Sequence, residues 1–459
     1  MMNRNNPDVH QRIPHDDDVR VAMADRSESS PEGSATAIGV DRRRKIIAGS
    51  VGNMVEFLDW CIFATFSSIF AHQFFPAGND AAALLSTLAI FAVGFTIRPV
   101  GAAVLGSYAD KHGRKKSLVL TVALMSGATL VIGLAPSYSK IGFLAPVILV
   151  VARLVQGFAA GGEFGIASAF LVESASPRRR AFAGSFQQVS VGAGLLIASA
   201  LGAVLTSALS KDALDSWGWR LGFVVASGFG VVALWVRRSV DENDSFHRGE
   251  ERRGNSGERR SAFVQMVRDH PGSILRVFSI NIAGMVLYNI FVTYLPTYAH
   301  VTTGMSLSSA LTANTIGMLL FIVLLPFAGL ASDRFGRRAT MALFAGGFVV
   351  FSWPALKLLD GGFWSYLVIQ IVALILMLGY SANLAAIMAE QFPPEVRATG
   401  IGMPYSICVA LFGGTAPYLM TWMYEKGISD WLWVYCTAAA VFGLVVYLTM
   451  PETRGKPLD

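Results

Sequence analysis

The chain predicts an all-α membrane protein, with twelve transmembrane helices arranged as two pseudo-symmetric six-helix bundles. Three observations carry that expectation. The composition is 53% hydrophobic and only 15% charged, with a mean hydropathy of +0.50, too apolar for an ordinary soluble domain. Apolar stretches of the roughly 18 to 25 residues a helix needs to cross the hydrocarbon core recur along the sequence. The turn Gly106-x3-Asp110-x2-Gly113-Arg114 returns as Gly329-x3-Asp333-x2-Gly336-Arg337, once per half of the chain.

In order, the expected spans are 46–72, 84–108, 117–135, 142–172, 182–209, 219–237, 273–299, 309–331, 339–358, 363–389, 399–422 and 431–450. Residues 1–45 are polar, acidic at Asp16, Asp17 and Asp18, and lack the apolar segment of a secretory signal, which predicts a disordered tail. The first bundle then covers 46–238, a charged linker 239–272, the second bundle 273–450 and a short tail 451–459. A second echo supports the duplication: Glu173-x3-Pro177-x2-Arg180-Ala181 recurs as Glu390-x3-Pro394-x2-Arg397-Ala398. Span one therefore maps to seven, two to eight and four to ten, giving halves in parallel orientation.

The formal charge of +6 needs no nucleic-acid partner, because the positive residues cluster on one side of the membrane. Arg42, Arg43, Arg44, Lys45, Lys111, Arg114, Lys115, Lys116, Arg178, Arg179, Arg180, Arg237, Arg238, Arg334, Arg337 and Arg338 fall there, against Lys140, Lys211 and Lys426 opposite. The positive-inside rule puts both termini in the cytoplasm. Cys61, Cys408 and Cys436 all lie inside spans, where packing is their expected role.

Ionisable residues at a helix centre are costly and mark function until shown otherwise. At about 1.5 Å per residue, Glu56 lies roughly 16 Å from Lys45, Arg98 roughly 18 Å from Asp110 and Glu163 roughly 15 Å from Glu173. Asp59 shares the helix face of Glu56. With Arg98 and Arg153 as the basic groups, three acids face two bases. The expectation is a surplus carboxyl that carries a proton, on Asp59 or Glu56, with Glu163 as a further candidate; static neutralisation of Arg98 is the alternative. An arginine fork binds a carboxylate through parallel hydrogen bonds, so Arg98 and Arg153 suit an organic anion.

Spans seven to twelve hold only neutral polar groups at depth. Tyr288, Asn289, Tyr380 and Asn383, with Gln188 from the first half, are the candidates for the substrate wall, and interhelical hydrogen bonding is their ordinary alternative. In the repeated turns, Gly113 and Gly336 permit a tight reversal, Asp110 and Asp333 can cap a neighbouring helix, and Arg114 and Arg337 can pair across the bundle, so the four are candidates for a cytoplasmic gate. Topogenic charge is the alternative. Arg220, beside Trp217 and Trp219, reads by depth as an outer-interface anchor.

Gly52-Asn53-x2-Glu56-Phe57-x-Asp59, Ile97-Arg98-Pro99-Val100-Gly101, Arg153-x2-Gln156-Gly157-x4-Gly162-Glu163-Phe164 and Trp217-Gly218-Trp219-Arg220 together resemble the metabolite:proton symporter family of the major facilitator superfamily. The resemblance runs from about residue 45 to the end and implies the major facilitator fold, an inner-membrane location, a proton as coupling ion with no other cofactor, and action as a monomer. It also implies an outer-gate role for Arg220. The family includes α-ketoglutarate, citrate, shikimate and proline/betaine transporters. The expected function is thus proton-coupled symport of a small organic acid, with a zwitterionic osmolyte as the alternative and a transporter-like receptor as the alternative of another class. Cys61, Phe63 and Phe164 stand where many members have tyrosine, which implies a cavity with fewer hydroxyls. An enzyme is not expected: no metal-ligand spacing, Ser-His-Asp set or phosphate loop is present in the sequence.

Overall fold

Long apolar runs broken by Gly, Pro and charge clusters leave the chain little choice but helix, since a helix alone satisfies every backbone polar group within one segment. The computed structural model describes residues 31–75, 86–87, 89–90, 93–240, 261–413, 419–420, 422–423 and 426–458. Residues 45–459 form one compact unit and residues 1–44 another. The principal helices are α1 (Pro31–Phe74), α2 (Arg98–His112), α3 (Arg114–Leu134), α4 (Leu144–Glu173), α5 (Arg180–Ala208), α6 (Trp219–Arg238), α7 (Pro271–Leu287), α8 (Leu307–Phe335), α9 (Arg337–Lys357), α10 (Phe363–Ser381), α11 (Arg397–Cys408) and α12 (Leu432–Thr449).

Ten of the described helical stretches are long and apolar enough to cross a membrane. The two expected spans missing from that set are the second and the eleventh. The outer part of the second begins among residues outside the description, and the eleventh passes through a π-helical segment, Val409–Gly413, before residues outside it. Helix α1 starts at Pro31 rather than at residue 46, so part of the tail expected to be disordered is helical; the rest of that tail, and 241–260 of the linker, lie outside the described residues. The described end of the linker forms a helix, Ala262–Asp269, that buries Ala262 and Met266.

Packing repeats with the sequence. In the first half α2 lies on α4 and α3 on α6; in the second, α8 lies on α10 and α9 on α12. The halves meet through α2 with α11 and α5 with α8, which are equivalent pairs under the repeat. Gly113 and Gly336 adopt the same positive φ, 105° and 104°, which explains their recurrence. The first glycine of the motif is fixed by contact instead. A Cβ on Gly106 would come within 2.8 Å of the Thr399 backbone, and one on Gly329 within 2.8 Å of the Ala181 carbonyl oxygen.

Candidate functional site

Three carboxylates of α1 and α4 lie in the interior of the first half, and each meets a guanidinium. On α1, Asp59 is 1% exposed. Its carboxylate is 3.2 Å from Arg153 Nη1, accepts 2.7 Å and 2.9 Å hydrogen bonds from Thr129 and Gln156, and is thereby tied to both α3 and α4. Arg153 also donates to Gln156 at 2.9 Å and places its guanidinium carbon 3.4 Å from the Phe63 ring centroid.

One turn away, Glu56 pairs with Arg98 Nη2 at 2.5 Å, and Arg98 is its one hydrogen-bond partner among the described residues. The guanidinium lies 4.1 Å from the Trp60 ring and 5.3 Å from that of Phe95. Its Nε is buried without a hydrogen-bond partner among the described residues. Asp59 thus sits in a closed network, whereas Glu56 and Arg98, among the described residues, hydrogen-bond only to each other.

The expected surplus of acid is corrected by the third pair. Glu163 is held by Arg237 and by the Thr121 hydroxyl, so three acids meet three bases. Counted by its place near the end of α6, Arg237 belongs with the exposed charges; its long side chain instead turns inward and is 2% exposed. There it also donates to the carbonyl oxygens of Ala48 at 3.0 Å and Leu118 at 2.5 Å. Only glycine fits opposite, since a Cβ on Gly52 would lie 2.1 Å from Arg237 Nη2.

In the second half, two residues expected at the substrate wall are corrected. Tyr380 is 1% exposed and donates to Asn281 at 2.8 Å; Asn383 is fully buried, donates to Thr340 at 2.8 Å and accepts from Ser332. Their side chains bond between neighbouring helices of the same half, and the Asn314 side-chain oxygen likewise accepts from Gln370 at 2.8 Å. Tyr288 and Asn289 differ: both are half-buried and open a π-helical segment, Tyr288–Tyr294, where Asn289 donates to the Met285 carbonyl at 2.8 Å. Gln188 is half-buried on α5. Tyr405 of α11 stacks on Phe164 at 3.7 Å and 7°, and lies within electrostatic reach of Arg98 and Glu56.

At the end carrying the repeated turns, the halves exchange caps. Asp110 accepts from the backbone N–H groups of Ala398 and Thr399 at 3.0 Å and 2.9 Å, closing the start of α11. Asp333 does the same for Ala181 and Phe182 at 3.1 Å and 2.9 Å, closing the start of α5. Arg114 pairs with Asp110 at 3.1 Å and Glu173 at 3.3 Å, and Arg397 from the other half reaches the same Glu173 at 2.8 Å. Arg337 pairs with Asp333 at 2.8 Å and Glu390 at 3.2 Å, and Arg180 comes within 3.6 Å of that Glu390. Glu173, Glu390, Arg180 and Arg397 were not among the candidate site residues, although the second sequence echo contains all four.

Arg220 is half-buried at the opposite end. It donates to the carbonyl oxygens of Gly133 and Ala135 at 3.1 Å and 2.6 Å, filling the last acceptors of α3, and reaches Gln73 at 3.4 Å. Other participants lacked a sequence signal of their own. Trp60 is one aromatic among many, and Thr129 becomes visible only once α3 is placed against α1. Gln156 enters the sequence reading only as part of the Arg153-x2-Gln156 motif that carries the family resemblance.

The family described as Major Facilitator Superfamily matches residues 49–325, and the family of sugar and other transporters matches 237–459. The α-ketoglutarate permease of Escherichia coli K12 is 35% identical over 435 residues, covering 94% of this chain and 99% of the permease. The citrate-proton symporter of Klebsiella pneumoniae is 34% identical, covering 93% and 96%, and the proline/betaine transporter of Escherichia coli K12 is 30% identical, covering 91% and 85%. Among solved structures, the proton:xylose symporter XylE bound to 6-bromo-6-deoxy-D-glucose superposes with a TM-score of 0.75 at 16% identity, over 92% of this chain and 98% of that one. FucP in the outward conformation gives 0.63 at 15% identity, over 88% and 98%. The chain is a multi-pass membrane protein, its relatives are transporters, and it belongs to the major facilitator superfamily.

Proposed function

We propose that this protein carries a small organic acid across the inner membrane together with a proton, by alternating access between halves 46–238 and 273–450, with both termini cytoplasmic. The observation that carries the reading is the isolation of Glu56 with Arg98. A substrate carboxylate competes with Glu56 for the Arg98 fork. Protonating Glu56 removes the competitor, so proton and anion bind together, which is the thermodynamic requirement of symport. Asp59 is poorly suited to that switch, because Thr129, Gln156 and Arg153 already satisfy its charged form; it holds Arg153 in place as a second positive group on the route.

Tyr288, Asn289, Gln188 and Tyr405 supply the facing wall. Asp110, Arg114, Asp333 and Arg337, with Glu173, Glu390, Arg180 and Arg397, form the cytoplasmic gate, since every one of those bonds joins or braces the two halves. Arg220 braces the outer end of α3. A monomer contains all of these groups, and the proton serves as coupling ion. The named functions of the relatives, α-ketoglutarate and citrate transport above all, support the substrate class.

Uptake of labelled dicarboxylates, tricarboxylates and betaines into proteoliposomes under an imposed pH gradient tests the proposal. Glu56→Gln should exchange substrate across the membrane yet lose gradient-driven accumulation. Retained accumulation refutes the assignment, and binding without counterflow would make the protein a sensor. One observation favours a second substrate: Trp60 packs edge-on to Phe95 at 4.2 Å and near Phe57 at 6.1 Å, an aromatic surface beside Glu56 that suits a quaternary ammonium. Competition of betaine against α-ketoglutarate separates the two.

A further inference from the structure

The mechanism above leaves unused a pair of buried polar side chains on the turn-end side of Glu56. Asn53 is 1% exposed, and among the described residues neither its Oδ1 nor its Nδ2 has a hydrogen-bond partner; Ser50, 8% exposed, has an equally unpartnered Oγ. Buried polar atoms are almost always satisfied, and leaving one unmade costs about 1–3 kcal/mol. A wholly unpaired carboxamide therefore points to a ligand with both donor and acceptor capacity, and water has both, making about three hydrogen bonds when buried.

Spacing supports water over a larger ligand. Ser50, Asn53 and Glu56 follow one another at i, i+3 and i+6 on α1, so each is the helical neighbour of the next. Three residues advance a helix by about 4.5 Å, a gap that one water spans with two hydrogen bonds of about 2.8 Å. The carboxamide orients water at both faces and does not titrate, so it passes a proton without holding it. The charged groups around the track are all engaged: Glu56 with Arg98 at its outer end, Asp59 with Arg153 beyond, and Glu163 with Arg237 and Thr121 on the flank of Gly52.

We infer that Asn53 and Ser50 hold a file of buried waters along which the proton leaving Glu56 reaches the turn end of the first half. This rests on the reading of Glu56 as proton carrier. In the step, the Glu56 carboxylic acid gives its proton to the adjoining water and returns to the carboxylate that pairs with Arg98. The excess proton then moves from water to water, and Asn53 neither gains nor loses one.

The test measures substrate-driven proton entry into proteoliposomes with an internal pH dye, beside labelled-substrate counterflow, in H2O and D2O. Asn53→Leu should slow proton entry about tenfold, the kinetic equivalent of one lost buried hydrogen bond. It should also enlarge the solvent isotope effect on that entry, while counterflow and the thermal midpoint stay close to those of the unaltered protein. Asn53→Ser, which leaves room for water, should restore most of the rate, and Ser50→Ala should produce a smaller version of the defect. Unchanged proton entry in Asn53→Leu overturns the track, as does a parallel fall in counterflow, which would place Asn53 on the substrate route. Glu56→Gln separates the two levels. Proton entry that survives it refutes Glu56 as carrier and the track with it, whereas entry lost in Glu56→Gln but intact in Asn53→Leu refutes the track alone.

Discussion

The two halves use the same architectural positions for different chemistry. In the first, Thr121, Glu163 and Arg237 join α3, α4 and α6, and Arg237 donates to the carbonyl of Ala48 on α1 beside Gly52. In the second, Phe344, Tyr380 and Tyr447 join α9, α10 and α12, and Tyr447 donates at 2.8 Å to the carbonyl of Ile280 on α7, one turn before Gly284, whose Cβ position Tyr380 occupies. Ile280 follows Ala48, and Gly284 follows Gly52, by the same number of positions. One scaffold thus carries an ion-paired hub in its first half and an aromatic hub in its second. At the turn end, by contrast, both halves retain Asp, Arg and Glu in matched contacts.

Breaking the ionic hub should have the largest effect. Glu163→Gln leaves Arg237 buried without its counter-charge and should destabilise the protein by about 3–5 kcal/mol, read as a large drop in thermal midpoint in detergent. A drop no greater than that of an aromatic-hub variant would mean that the two hubs are energetically alike. Next in size are the exchanged caps. Asp110→Ala and Asp333→Ala each remove a helix cap worth about 1–2 kcal/mol, so each should raise labelling of an introduced turn-end cysteine roughly tenfold. Unequal responses would break the symmetry of that end.

Tyr447→Phe removes one buried hydrogen bond and should cost about 1 kcal/mol by the same thermal measurement. The smallest effect is expected at Glu452, where the tail adds a contact outside the repeated pattern. Burial alone would raise its pKa, but the N–H groups of Arg454, Arg338 and Arg337, with the Arg337 charge, outweigh it and hold the carboxyl below its ordinary value of 4.5. A depressed native pKa stabilises the fold above the unfolded value and loses that contribution as pH falls through the native one. Glu452→Gln should therefore lower stability slightly at neutrality and flatten the loss on acidification below about pH 4.5, so that the variant and the unaltered protein converge in acid.

Much of this was legible in the sequence, and the limits were physical. Hydropathy and the repeat exposed the helices, because a bilayer penalises any other pattern, and the same penalty singled out Glu56, Asp59, Arg98 and Glu163. Arg153 was found for its chemistry. Arg237 was hidden because residue counting locates a Cα, whereas an arginine head travels several ångströms from it. Tyr380 and Asn383 were misplaced for a related reason: neutral polar side chains carry no insertion penalty large enough to reveal whether a substrate or a neighbouring helix satisfies them. The Asp110 and Asp333 caps were anticipated as a type of contact, but their exchange between halves depends on how α2 meets α11 and α5 meets α8.

That exchange has a consequence for synthesis. The N–H groups at the start of α5 are closed by an aspartate 152 positions downstream of Ala181. At about 5–20 residues per second, roughly eight to thirty seconds pass between emergence of the two. Throughout that interval the nascent first half presents an open helix end and an unmatched Arg180 to the insertion machinery. The early half is thus a client awaiting its sibling, and the two halves, expressed as separate chains, should accumulate only when made together.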